Sequence, residues 1–227
     1  MNSLIKVLIV VTSHNQLGNT GKPTGYYLSE VAHPYEKFIE AGIEVDIASP
    51  KGGEAPLDPN SKNEKDAVIS KLMADSKFNS KLKNTLKLSS LDLDKYKAIV
   101  FAGGHGTMWD FSEGDVPTAI RKVYENNGVV AAICHGPASL VNVKLSNGTY
   151  LVSGKKVTGF SNAEEEAAQL TKVMPFLLET ALVDRKAIYE KSPLWKEKVV
   201  VDGRLITGQN PASAAGVGAA VVKILTR

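Results

Sequence analysis

Cys134 is the only cysteine among 227 residues, and what surrounds it suggests chemistry rather than packing. It closes the apolar run Val129-Val-Ala-Ala-Ile133 and is followed by His135, Gly136 and Pro137. A short run rich in β-branched residues suits a strand buried on both faces. Pro137 suits the first turn of a helix, where its missing N–H would be unbonded anyway. Strand, sharp turn and helix would put the thiol on a crest at the C-terminal edge of a sheet. The free N–H groups of the helix N-terminus would there favour a thiolate. Hydrolases with a Gly-x-Ser-x-Gly elbow present their nucleophile in the same way. A lone cysteine is ordinarily a small core hydrophobe; the strand-end position and the His-Gly-Pro sequel favour a reactive one.

Other groups could serve such a thiol. Gly103-Gly104-His105-Gly106 ends another apolar run, and glycines at a strand end let backbone N–H groups hold an anion. Gly103, Gly104 and the N–H of His135 are thus candidate oxyanion or substrate donors. The His135 ring is a candidate general base if it swings over the same cleft. It would need an orienting acid, and Glu164-Glu165-Glu166 follows the next strand, with two of the three expected on the surface. Glu30, early in an apolar helix, could be held protonated by burial and donate to the thiolate or shuttle a proton. No metal site is expected, since His14, His33 and His105 show no ligand spacing. The glycine loop lacks both the dinucleotide and the phosphate-loop spacing.

These residues need a scaffold, and 227 of them suffice for one α/β domain with a sizeable core. Hydrophobic content of 43% and charged content of 22% are ordinary for a soluble globular protein. A net charge of +3 is too small to argue for nucleic acid. One cysteine excludes an internal disulfide and suits a reducing compartment. The apolar start Leu4 to Val11 is too short to span a membrane and reads as a first buried strand. A cytoplasmic protein is the expectation.

Strands are predicted over 7–12, 43–49, 96–102, 128–133 and 155–160. A hairpin is predicted over 198–201 and 204–207, turned by Asp202-Gly203. Helices are predicted over 26–41, kinked or started late by Pro34, and over 117–126, 162–173 and 175–187. A last helix should begin at Asn210 as N-cap with Pro211 behind it. Residues 54–91 read as an inserted surface segment with one or two helices. Alternating strands and helices imply a mostly parallel sheet covered on both faces.

Taken together, Ala102-Gly-Gly-His-Gly106, Ala132-Ile-Cys-His-Gly-Pro137 and Thr158-Gly-Phe160 resemble the DJ-1/PfpI superfamily. Ser29 to Tyr35, the insertion after the second strand and Asp202 to Pro211 narrow the resemblance to its Hsp31-like branch of glyoxalase III enzymes and chaperones. The likeness runs over nearly the whole chain. It implies a flavodoxin-like three-layer sandwich, Cys134 as nucleophile, His135 as base and the helix glutamate at Glu30. By register the third member is Glu165, the sixth residue after Gly159, with Glu164 the second choice.

The implied activity is glutathione-independent conversion of methylglyoxal and related 2-oxoaldehydes to 2-hydroxy acids, with no cofactor. A homodimer is also implied. Rival readings are a holdase chaperone for unfolded clients in the stress response, a protein deglycase, and a peroxide sensor working through Cys134 oxidation.

Overall fold

The structure, a computed structural model, describes residues 5–227. Leu4, the first residue of the opening apolar run, lies outside them. In chain order the strands and helices are β1 (Lys6–Val10), α1 (Leu28–Glu40), β2 (Glu44–Ser49), α2 (Ala67–Met73), α3 (Ser76–Lys83), β3 (Leu86–Lys87), β4 (Ala98–Phe101), α4 (Thr107–Asp110), α5 (Asp115–Glu125), β5 (Val129–Ile133), β6 (Lys156–Val157), α6 (Asn162–Ala167), α7 (Leu178–Asp184), β7 (Ile188–Tyr189), β8 (Val199–Asp202), β9 (Leu205–Gly208) and α8 (Ala214–Leu225).

Seven strands form one sheet in the order β3-β2-β1-β4-β5-β9-β8, parallel except for the β8–β9 hairpin. Every residue of β4 and β5 is buried, as a strand covered on both faces requires. Helices α1 and α8 pack together on one face, and α5 lies against β4 and β5. Gly218 allows the α1–α8 contact, because a Cβ there would come 2.8 Å from the Cα of Pro34. This is the flavodoxin-like α/β architecture. Because β1, β4 and β5 are parallel neighbours, the loops at their C-terminal ends converge.

Several local expectations are corrected. Helix α1 runs continuously from Leu28 to Glu40 through Pro34, so the helix does not start late at the proline. Only Lys156–Val157 of the predicted 155–160 strand is a strand, and it pairs with β7 in a small second sheet. Beyond it Thr158 and Phe160 bond singly across to Thr207 Oγ1 and to the Cys134 carbonyl. Helix α6 stops at Ala167 because Gln169 turns left-handed (φ +60°), and Lys186 (φ +66°) follows the end of α7 in the same way.

The predicted helix after Pro137 is a five-residue 3-10 turn over Gly136–Leu140. Asn210 precedes a 3-10 turn over Pro211–Ser213 rather than α8, which starts at Ala214, and it makes no side-chain cap bond because its amide is turned to Glu164 and Lys196. The inserted segment carries α2 and α3, as expected, and also β3, which joins the main sheet. Its Phe78 packs edge-on to Tyr35 of α1 at 4.9 Å.

Candidate active site

β5 delivers Cys134 to the convergence point, and the backbone there is left-handed (φ +59°), a region that non-glycine residues populate sparsely. Neighbouring bonds hold it so. The Cys134 N–H donates to the Gly208 carbonyl at 2.9 Å, and its carbonyl accepts the Phe160 N–H at 2.7 Å. The turn brings the His135 ring onto the sulfur, with Sγ 3.4 Å from Nδ1. On the other edge of the ring, Nε2 meets Glu165 Oε2 at 2.6 Å. Structure therefore brings Cys134, His135 and Glu165 into one line.

Glu30, on the first turn of α1, is fully buried beside the same sulfur. One of its oxygens accepts the Gly103 N–H at 2.7 Å. The other has no partner at standard hydrogen-bond geometry among the described residues, yet the carboxyl interacts with the Cys134 thiol. Space here is tight, since a Cβ on Gly103 would fall 2.5 Å from the Glu30 carboxylate. Gly103 was expected among the oxyanion donors; its N–H is committed to Glu30, so that expectation is corrected. The Gly104 N–H has no acceptor among the described residues, and the His135 N–H faces the sulfur.

The expected thiolate is also corrected. Burial raises the Cys134 thiol well above its ordinary range, and the charge of Glu30 adds to this. A five-residue 3-10 turn offers too small a dipole to reverse it. Burial likewise pushes Glu30 up to about 8, against the hydrogen bonds from Cys134 and Gly103. Burial, helped by the neighbouring His105, lowers His135 and keeps it neutral. Burial alone would raise Glu165, but His135 and His105 outweigh it and bring the carboxyl down to about 2. The resting site at neutral pH is then a thiol, a neutral imidazole, an ionised Glu165 and a protonated Glu30. A thiol S–H facing Nδ1, with Nε2–H held by a carboxylate, is poised for general-base activation at the moment of attack.

The three consecutive glutamates divide differently from expectation, with one on the surface rather than two. Glu166 is exposed, while Glu164 and Glu165 are buried. Glu164 does not join the line of Cys134, His135 and Glu165. It closes a capping box with Ser161 and accepts from Gln209, Asn210 and the Trp195 N–H.

His105 was read as part of the glycine loop and set aside as a metal ligand, yet its Nε2 lies 3.0 Å from Glu165 Oε1. The signal was its place two residues after Gly103, at the end of a strand beside β5. Ligand atoms of His105, His135 and Glu165 lie within 4.8 Å of one another, so the trio could hold a divalent cation only by giving up those hydrogen bonds. Access is narrow, with Cys134 3% exposed. No helix of the described residues is long and apolar enough to cross a membrane.

Known proteins share this arrangement of chain and fold. Glyoxalase 3 of Candida albicans is 34% identical over 223 residues, covering 93% of this chain and 94% of its own. The glutathione-independent glyoxalase HSP31 of Saccharomyces cerevisiae is 33% identical, covering 92% and 93%. The crystal structure of the 24 kDa Rapid Encystment Protein of Francisella tularensis superposes with a TM-score of 0.94 at 44% identity, over 98% of this chain and 99% of that one. The DJ-1/PfpI family pattern itself matches residues 23–224. On fold and sequence alike, the chain belongs to the DJ-1/PfpI family.

Proposed function

We propose that this protein is a glutathione-independent glyoxalase, a lyase of the D-lactate dehydratase type that turns methylglyoxal and related 2-oxoaldehydes into 2-hydroxy acids. The observation that carries it is the Cys134 sulfur 3.4 Å from His135 Nδ1, backed by Glu165 and flanked by Glu30. The relatives named above bear that activity in their names.

His135 Nδ1 takes the thiol proton as the sulfur bonds to the aldehyde carbon, and the carbonyl π pair moves onto oxygen. The Gly104 and His135 N–H groups stabilise the oxyanion, which picks up a proton to give a hemithioacetal. His135 or Glu30, whichever is then unprotonated, removes the hydrogen from the former aldehyde carbon. The electron pair passes to the adjacent ketone through an enediol. Reprotonation at the second carbon leaves the thioester of lactate, and water releases lactate and the free thiol. One carbon is oxidised and its neighbour reduced, so the balance closes with substrate and water.

The narrow approach favours this reading over deglycation of protein side chains, because a thiol 3% exposed suits a three-carbon aldehyde better than a bulky adduct. Its raised pKa also works against a peroxide sensor, for which the thiolate is the reacting form. A cytoplasmic homodimer remains part of the proposal, to be checked by light scattering. The deciding experiment incubates purified protein with methylglyoxal, without glutathione. Lactate should accumulate, and its absence would refute the assignment.

A further inference from the structure

We propose that His105 is a positioning residue for this site, clamping the second oxygen of Glu165 so that the first stays aimed at His135. The proposal rests on the glyoxalase reading only for its kinetic test.

Glu165 answers two imidazoles at once, with Oε2 2.6 Å from His135 Nε2 and Oε1 3.0 Å from His105 Nε2. A carboxylate held by one oxygen keeps a broad terminal torsion. A donor on each oxygen fixes its plane. The rings reinforce this, lying 4.2 Å apart at 43°. His105 is also the outermost of the three: its side chain is 19% exposed, against 1% for His135 and 4% for Glu165. It stands between the buried pair and solvent, where water would otherwise compete for Oε1.

The loop carrying His105 is itself held. A Cβ on Gly106 would fall 2.6 Å from the His14 carbonyl, and the Thr107 hydroxyl donates to the Gly104 carbonyl at 2.9 Å. One loop therefore supplies both the Gly104 N–H and the clamp on the acid. The Gly104 donor and the clamp behind the base thus share one loop, although 30 residues separate His135 from Glu165 and 60 separate His105 from Glu165.

Two variants separate positioning from bulk. His105→Phe keeps an aromatic ring against His135 and removes the donor. His105→Gln puts an amide N–H close to where Nε2 stood. The first should lower kcat at least tenfold with KM changed less than about threefold, as expected when a group acts through the general base. The second should recover kcat to within about threefold of wild type. Proton NMR gives a readout independent of the reaction. The downfield Nε2–H resonance of His135 should shift or broaden in the Phe variant and return in the Gln variant. His105→Phe with wild-type kcat and an unmoved resonance would overturn the proposal. So would a Gln variant as impaired as the Phe variant. An inactive wild type would remove the glyoxalase reading while leaving the NMR comparison to decide the clamp.

Discussion

Nδ1 of His135 lies 3.4 Å from the sulfur of Cys134, the residue immediately before it. Successive side chains usually diverge. A left-handed backbone at Cys134 folds this pair to one side, a conformation that costs a non-glycine residue about 1–3 kcal/mol. The Gly208 carbonyl and the Phe160 N–H hold it in place.

Removing the thiol tests the nucleophile directly. Cys134→Ser should lower lactate formation by about three orders of magnitude or more, the size expected when a covalent nucleophile is lost. Circular dichroism should stay unchanged. A serine variant with wild-type turnover would rule out the hemithioacetal route.

Glu30, once it ionises above about pH 8, opposes ionisation of the thiol by its charge. Burial is the larger cause of the raised Cys134 pKa, and the Glu30 charge is the next. Glu30→Gln removes that charge while nearly keeping the shape, so iodoacetamide should alkylate Cys134 at lower pH than in wild type. Turnover should nevertheless fall about 10²–10⁴-fold if Glu30 moves a proton. Alkylation profiles and steady-state rates measured on one preparation would show whether the two effects part in this way.

Stability should depend on pH through the same carboxyl. Glu30 is held near 8 in the folded protein, against 4.5 for the unperturbed group. The folded state therefore binds more protons than the unfolded one between those values. Its contribution is fully present below pH 4.5 and is lost as pH rises through 8, on the order of a few kcal/mol. Glu165, at about 2, behaves oppositely: its contribution is present above 4.5 and lost as pH falls through 2. Urea denaturation should show stability falling from pH 5 to pH 8 in wild type, and more gently in Glu30→Gln. Parallel curves would mean that Glu30 is not held protonated.

Three adjacent glutamates should meet three fates. Glu164→Ala leaves the Asn210 amide and the Trp195 N–H without their buried acceptor, and should destabilise by about 3 kcal/mol or more. Glu165→Gln should cut turnover with a smaller effect on stability. Glu166→Ala, on the surface, should change neither by more than about 0.5 kcal/mol. Thermal melts and lactate assays on the three variants would check this, and a tolerated Glu164→Ala would show that its hydrogen bonds add little.

What the chain announced by itself was local. The apolar run of Val129 to Ile133, the glycines at Gly103 and Gly104, and the Asp202-Gly203 turn each carry their own steric or burial signal within a few residues. They placed the sheet, the strand ends and Cys134 without reference to anything distant. Where helices end was less legible, because Gln169 and Lys186 turn left-handed with no glycine to mark the stop.

The protonation of the thiol belonged to tertiary structure. A helix dipole was expected to ionise Cys134. Desolvation and a carboxyl brought from another element keep it a thiol, and Glu30 meets Gly103 across 73 positions of sequence. The division among Glu164, Glu165 and Glu166 likewise waited on packing, since the first two face the interior and the third does not. The pairing of His105 with Glu165 escaped notice because the two lie 60 residues apart. Only the parallel register of β4 beside β5, together with the Phe160 bond to Cys134, brings their two loops together. Burial and distance between side chains far apart in sequence depend on how strands pair, and no short window of residues encodes that.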